Sequence, residues 1–165
     1  MTQIMNETDI GGWINGRLPD GWFTGPVETS VDRDEVVVIG TLAAPETGGE
    51  AAEAGRIKRF REETREQRVI IAREVEKRFG RSVAWGAVCG GTRQVFTTLS
   101  VPVMTRLRQP ERQVLDTLVD AGVARSRSDA LAWSVRLVGQ HSAEWLAELR
   151  TAMEAVEKVR AAGPA

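Results

Sequence analysis

The sequence contains one cysteine, one histidine and no tyrosine. Cys89 alone cannot close an internal disulfide, which excludes a disulfide-stapled framework. With His141 as the single histidine, histidine-rich metal sites are excluded, and no HExxH, P-loop, GxGxxG or paired-cysteine pattern occurs. No apolar run is long enough to cross a bilayer. The first residues, MTQIMNETDIGG, lack the basic and then apolar order of a secretion signal. These absences lead to the expectation of a cytoplasmic protein that is not an enzyme, takes no cofactor or metal, and has no membrane partner. A Cys89–His141 pair is formally available, but Cys89 lies in an apolar alternating stretch, where small buried thiols are common. A catalytic pair must also meet several geometric conditions at once.

Lysine is scarce as well, 3 residues against 19 arginines, a skew expected of a GC-rich bacterial genome. The net charge of -1 conceals an uneven distribution. Residues 1–52 carry nine acids and two bases, whereas residues 53–91 carry ten bases and six acids. Residues 92–136 add seven bases and four acids, and residues 137–165 three bases and four acids. A basic middle between acidic ends suits an anionic partner, because local potential steers association. Solvated helix faces explain the same runs without any partner.

What is present reads as α+β. Residues 1–16 are polar and glycine-containing, and are expected to form a flexible tail. In the α+β domain over residues 17–101, Val27, Thr29 and Val31 alternate before a polar turn at Asp32–Asp34. The β-branched run Val36–Ile39 then completes a hairpin. Ala54, Ile57, Phe60, Thr64, Ile71, Val75 and Phe79 recur at helical spacing, which predicts one long helix over 50–79 closed by Gly80. The acids of RFREETREQR, interleaved with arginines, read as surface ion pairs on that helix. SVAWGAVC and TRQVFTTLSV flank Gly90-Gly91, a second hairpin by its turn chemistry. Trp22 and Trp85 are expected in the core. The N-terminal domain is thus expected to be hairpin, helix, hairpin.

Beyond it, Val103, Thr105 and Leu107 alternate with Met104, Arg106 and Arg108. Leu115, Leu118 and Val119 share a helical face that stops at Gly122, and SRSDALAW opens another helix with Leu131, Val135 and Val138 on its inner face. This ungapped stretch, VMTRLRQPERQVLDTLVDAGVARSRSDALAWSVRLV, resembles the ribbon-helix-helix family, the fold of the MetJ and Arc repressors. Arg108 stands where members often have proline, and Glu111-Arg112 where an apolar pair is common.

The resemblance implies a module over residues 102–140 whose strand pairs with the same strand of a second copy, forming a homodimer. The two-stranded ribbon would enter the major groove of double-stranded DNA. Met104, Arg106 and Arg108 are then the base-facing residues. Arg125, Ser126, Arg127 and Ser128, at the start of the second helix, are the phosphate-facing ones. Ser126 and Asp129 also form an S-x-x-D capping pattern, which explains both residues without any ligand. A C-terminal helix over 141–165, capped by Ser142, carries a stripe of Trp145, Leu149, Met153 and Val156 for the core or the dimer.

The expected function is that of a homodimeric, sequence-specific DNA-binding protein, a bacterial transcription regulator. The N-terminal domain would bind a protein partner or effector, or fix the dimer geometry. Two alternatives remain open: an assembly factor that uses the module only to dimerise, and an antitoxin-like repressor. The domain order is the reverse of that usual in antitoxins.

Overall fold

In the computed structural model, which describes residues 7–164, the chain is mixed α+β. It divides into two compact units, Met1–Pro102 and Val103–Ala165.

The first unit is built on a four-stranded sheet of order β1-β2-β3-β4. Strands β1 (Glu28–Val31) and β2 (Glu35–Leu42) pair antiparallel around Asp32. The Asp32 carboxylate accepts from the amides of Asp34 and Glu35 at 2.8 and 2.7 Å, which closes the turn. Strands β3 (Ser82–Cys89) and β4 (Thr92–Val95) are also antiparallel. The two pairs join into one sheet because β2 and β3 run parallel, from Glu35 opposite Ser82 to Leu42 opposite Cys89. A parallel neighbour requires a crossover. Helices α2 (Gly49–Glu63) and α3 (Arg65–Phe79) supply it.

The crossover differs from the single helix expected over 50–79: it breaks at Thr64. The physical reason lies in Arg68, which is 9% exposed with its guanidinium over the Phe96 ring. Its Nη2 donates to the Arg61 carbonyl at 2.7 Å and its Nε to Thr64 Oγ1 at 3.0 Å, so the end of α2 is satisfied by a side chain of α3.

A second correction concerns the N-terminus. Residues expected to be a loose tail form helix α1 (Glu7–Arg17). Ile10 and Ile14, one turn apart, are buried with Val36, Val38 and Leu42 of the sheet, and tertiary packing stabilises a segment of weak intrinsic preference. Arg17 binds Glu74 of α3 through two hydrogen bonds of 2.6 and 2.9 Å. The rest of that expected tail, residues 1–6, lies outside the described residues. Trp85 and Cys89 are buried, and Trp22 packs partly buried on the same core. Burial foremost pushes the Cys89 thiol up from its usual range.

Gly90, at φ 58°, is the tightest point of the β3–β4 turn, because a Cβ there would collide with the Glu53 carboxylate. That carboxylate accepts from Thr92 N and Oγ1 at 3.1 and 2.7 Å and so anchors the turn to α2. Gly90→Ala is therefore expected to destabilise the first unit by about 1–3 kcal/mol through backbone strain and overpacking. A denaturant midpoint unchanged from wild type would contradict this.

The second unit comprises α4 (Gln109–Asp120), α5 (Arg127–His141) and α6 (Ala143–Ala162). The stretch TRQVFTTLSV, expected to be strand throughout, is strand only to Val95. Phe96 turns inward beneath Arg61 and Arg68, and the chain leaves the sheet. The segment 103–107, expected to be strand, is not paired with any strand among the described residues, and a strand exists only by pairing. Among the described residues, no helix is long and apolar enough to cross a membrane.

Candidate nucleic-acid interface

Helix α4 starts with Pro110 in its first turn, where a missing N–H costs nothing. It ends at Gly122, whose φ of 76° lets Val123 and Ala124 donate back to the Leu118 carbonyl at 2.9 and 3.1 Å. Helix α5 is opened by Ser126, whose Oγ accepts from the Asp129 amide at 3.1 Å. The Asp129 carboxylate accepts in turn from the Arg125 amide at 3.0 Å, a capping arrangement shifted one residue upstream. The local chemistry read from S-x-x-D is therefore present.

Around this junction Leu115, Ala124 and Ala130 are buried, with Leu107, Leu118, Val119 and Leu131 packed partly buried against them. Leu107 draws the end of the extended segment onto the α4–α5 junction, and Arg112 Nη1 donates to the Leu107 carbonyl at 2.7 Å. Leu107 alone in the segment 103–108 turns inward, while Val103 to Arg106 and Arg108 are exposed. Met104 is 95% exposed and Val103 89%.

The second group of candidates, Arg125, Ser126, Arg127 and Ser128, is also on the surface. Arg125 extends into solvent, 3.8 Å from Asp129. Arg127 differs from the free cation expected beside the helix start: its Nε and Nη2 donate to the two carboxylate oxygens of Asp116 at 2.7 and 2.8 Å. Asp116 and Arg112, absent from the sequence-derived set, thus organise the junction. Eleven residues separate Asp116 from Arg127, so only the α4–α5 turn brings them together.

The hydrogen bonds from Arg127 hold the Asp116 carboxyl below its usual range, against a smaller opposing effect of desolvation. A carboxyl depressed on folding contributes stability above its unfolded pKa and loses it as pH falls through the folded one. The second unit is therefore expected to loosen as pH falls below the ordinary aspartate range, about 3.9. Asp116→Asn should remove that component, as read by amide exchange in α5. An identical acid profile in the variant would refute the coupling.

Much apolar surface of the unit is uncovered. Val135 and Val138, expected on the inner face of α5, are 65% and 52% exposed, because α4 covers only the first half of that helix. On α6 no residue is buried, and the stripe of Trp145, Leu149, Met153 and Val156 is open. His141 ends α5, exposed. Among the described residues no group of three or more histidine, cysteine or acidic side chains is arranged to hold a metal ion.

The family described as Rv1265-like protein, N-terminal domain, matches residues 8–95. The chain belongs to the Rv1265-like family. A second model, the Mb1296 C-terminal domain, matches residues 108–160 and so spans α4, α5 and most of α6. Two relatives in this Rv1265-like family are the uncharacterized proteins Mb1296 of Mycobacterium bovis and Rv1265 of Mycobacterium tuberculosis strain H37Rv. Each is 61% identical over 168 residues, covering 98% of this chain and 74% of the relative. The uncharacterized protein MT1303 of Mycobacterium tuberculosis strain CDC 1551 matches to the same extent. No solved structure matches the chain.

Proposed function

We propose that this Rv1265-like protein is a homodimeric, sequence-specific DNA-binding regulator of transcription, acting in the cytoplasm without catalysing a reaction. The observation that carries the reading is the imbalance of the second unit. Among its described residues it buries three, Leu115, Ala124 and Ala130, yet leaves Val103, Met104, Val135, Val138 and the α6 stripe open. So small a core does not stabilise some sixty residues alone. A second copy would complete it, and the unpaired segment 103–107 would gain the strand partner that its backbone groups require.

In such a ribbon side chains alternate between faces. Leu107 already turns inward, so the parity of Met104, Arg106 and Arg108 would face DNA. Guanidinium groups there suit guanine edges, and the first-turn amides of Arg127 and Ser128, which lack intrahelical acceptors, suit a phosphate.

Arg106→Ala is expected to cost about 1–3 kcal/mol at a preferred site and to relax sequence preference. The measurement is a titration of promoter and scrambled duplexes at two salt concentrations. Wild-type protein with no salt-sensitive DNA binding would end the regulator reading. In that case a second reading, an assembly factor that dimerises through the same module, takes its place. One observation favours it: Arg127 is held by Asp116 rather than free for a phosphate.

A further inference from the structure

The arginine-rich break between α2 and α3 forms one wall of a cleft of about 790 Å³ that lies wholly within the first unit. Arg61, Arg65 and Arg68 follow one another at helical spacing across the break and all line it. Lys58 and Glu62 line it too, 4.0 Å apart as a pair, which leaves the three guanidiniums as the uncompensated charge. Strand β3 and the segment from β4 onward add Val83, Trp85, Gln94 and Phe96 to the lining, and α3 itself adds Val69.

Arg68 is the unusual member. It is only 9% exposed, and its hydrogen-bond acceptors, Thr64 Oγ1 and the Arg61 carbonyl, are both neutral. Its guanidinium lies 5.1 Å above the Phe96 ring, and that of Arg61 lies 5.6 Å from the same ring. A buried cation is ordinarily neutralised by a paired carboxylate. Here burial first, and then the repulsion of Arg61 and Arg65, lowers the Arg68 pKa from its usual value. An anion placed in the cleft would offset that repulsion and supply the countercharge that Arg68 lacks.

We propose that this cleft binds a small organic phosphate, with the phosphate on Arg61, Arg65 and Arg68 and an apolar or aromatic body against Trp85 and Phe96. Three guanidiniums favour a dianion over a monocarboxylate, and the planar fork of arginine matches phosphate oxygens in pairs. Concave sites that combine an apolar wall with a few convergent polar groups are where small ligands bind. Its lining shares no residue with the set proposed to face DNA, so it stands or falls independently of the DNA reading.

The test uses the full chain with phenyl phosphate and inorganic phosphate as probes, by titration calorimetry and by the indole N–H resonance of Trp85. Phenyl phosphate is expected to bind one per chain and to shift the Trp85 resonance. Arg61→Ala and Arg65→Ala, both at exposed positions, should each weaken binding about tenfold or more with an unchanged melt. Inorganic phosphate should bind more weakly than phenyl phosphate, because it leaves the aromatic wall unused. No phenyl phosphate binding, an unmoved Trp85 resonance, or affinity indifferent to both arginine changes would overturn the site. Equal affinity for the two probes would overturn the role of the aromatic wall. DNA binding plays no part in any of these readings.

Discussion

Leu115→Asp is expected to unfold the second unit while leaving the sheet of the first intact. Leu115 is 6% exposed and is the one large residue among the three that are buried within the described part of the second unit. A carboxylate there has no cation designed to meet it. Such a change costs about 4 kcal/mol or more, a large part of what a small unit has in reserve. Circular dichroism should show loss of the helical signal of α4 to α6. The near-ultraviolet signal of Trp85, packed among the residues of the other core, should persist. A variant that melts like wild type would mean that the α4 face has been misassigned. Loss of both signals together would mean that the two units do not fold separately.

The second large effect is expected in the segment before α4. Successive N–H groups of an extended strand point to opposite sides, so of two neighbouring residues one must donate toward a paired strand. Proline has no N–H to donate. Of Thr105→Pro and Arg106→Pro, at least one is therefore expected to sediment as a monomer where wild type is a dimer, and to lose DNA binding with it. Thr105→Ala should remain dimeric, which separates the backbone effect from loss of the side chain. Dimers in both proline variants would exclude a ribbon over 103–107, and a wild-type monomer would remove the basis of the dimer altogether.

The parts of the second unit that were legible in the sequence are those determined over a few residues. Ser126 and Asp129 are three positions apart, and the cap they form involves no distant group. Gly122 stops α4 because its backbone alone adopts a positive φ without strain. The Leu115, Leu118 and Val119 face follows from helical period. By contrast, the pairing of Arg127 with Asp116 depends on the angle of the α4–α5 turn, and no local pattern separates it from two solvated charges. One signal for the cleft was nevertheless present. Arg68, read from the sequence as one of the surface charges of the helix, is buried; its place in the helical period of Ile57, Phe60, Ile71 and Val75 is where a charge is out of place unless it has a task.

By itself the sequence determined the mixed α+β class, the turns at Asp32, Gly90 and Gly122, and the absence of disulfide and common metal motifs, since each depends on residue type and short spacing. Only the tertiary structure decided that β2 and β3 join in parallel, because strand order depends on what the crossover helices cover. It also decided that Glu7–Arg17 is helix, since Ile10 and Ile14 gain an apolar surface only once the sheet exists. The division of α2 from α3 was decided there too: a buried guanidinium must find acceptors, and the carbonyl of Arg61 becomes one only where the helix ends.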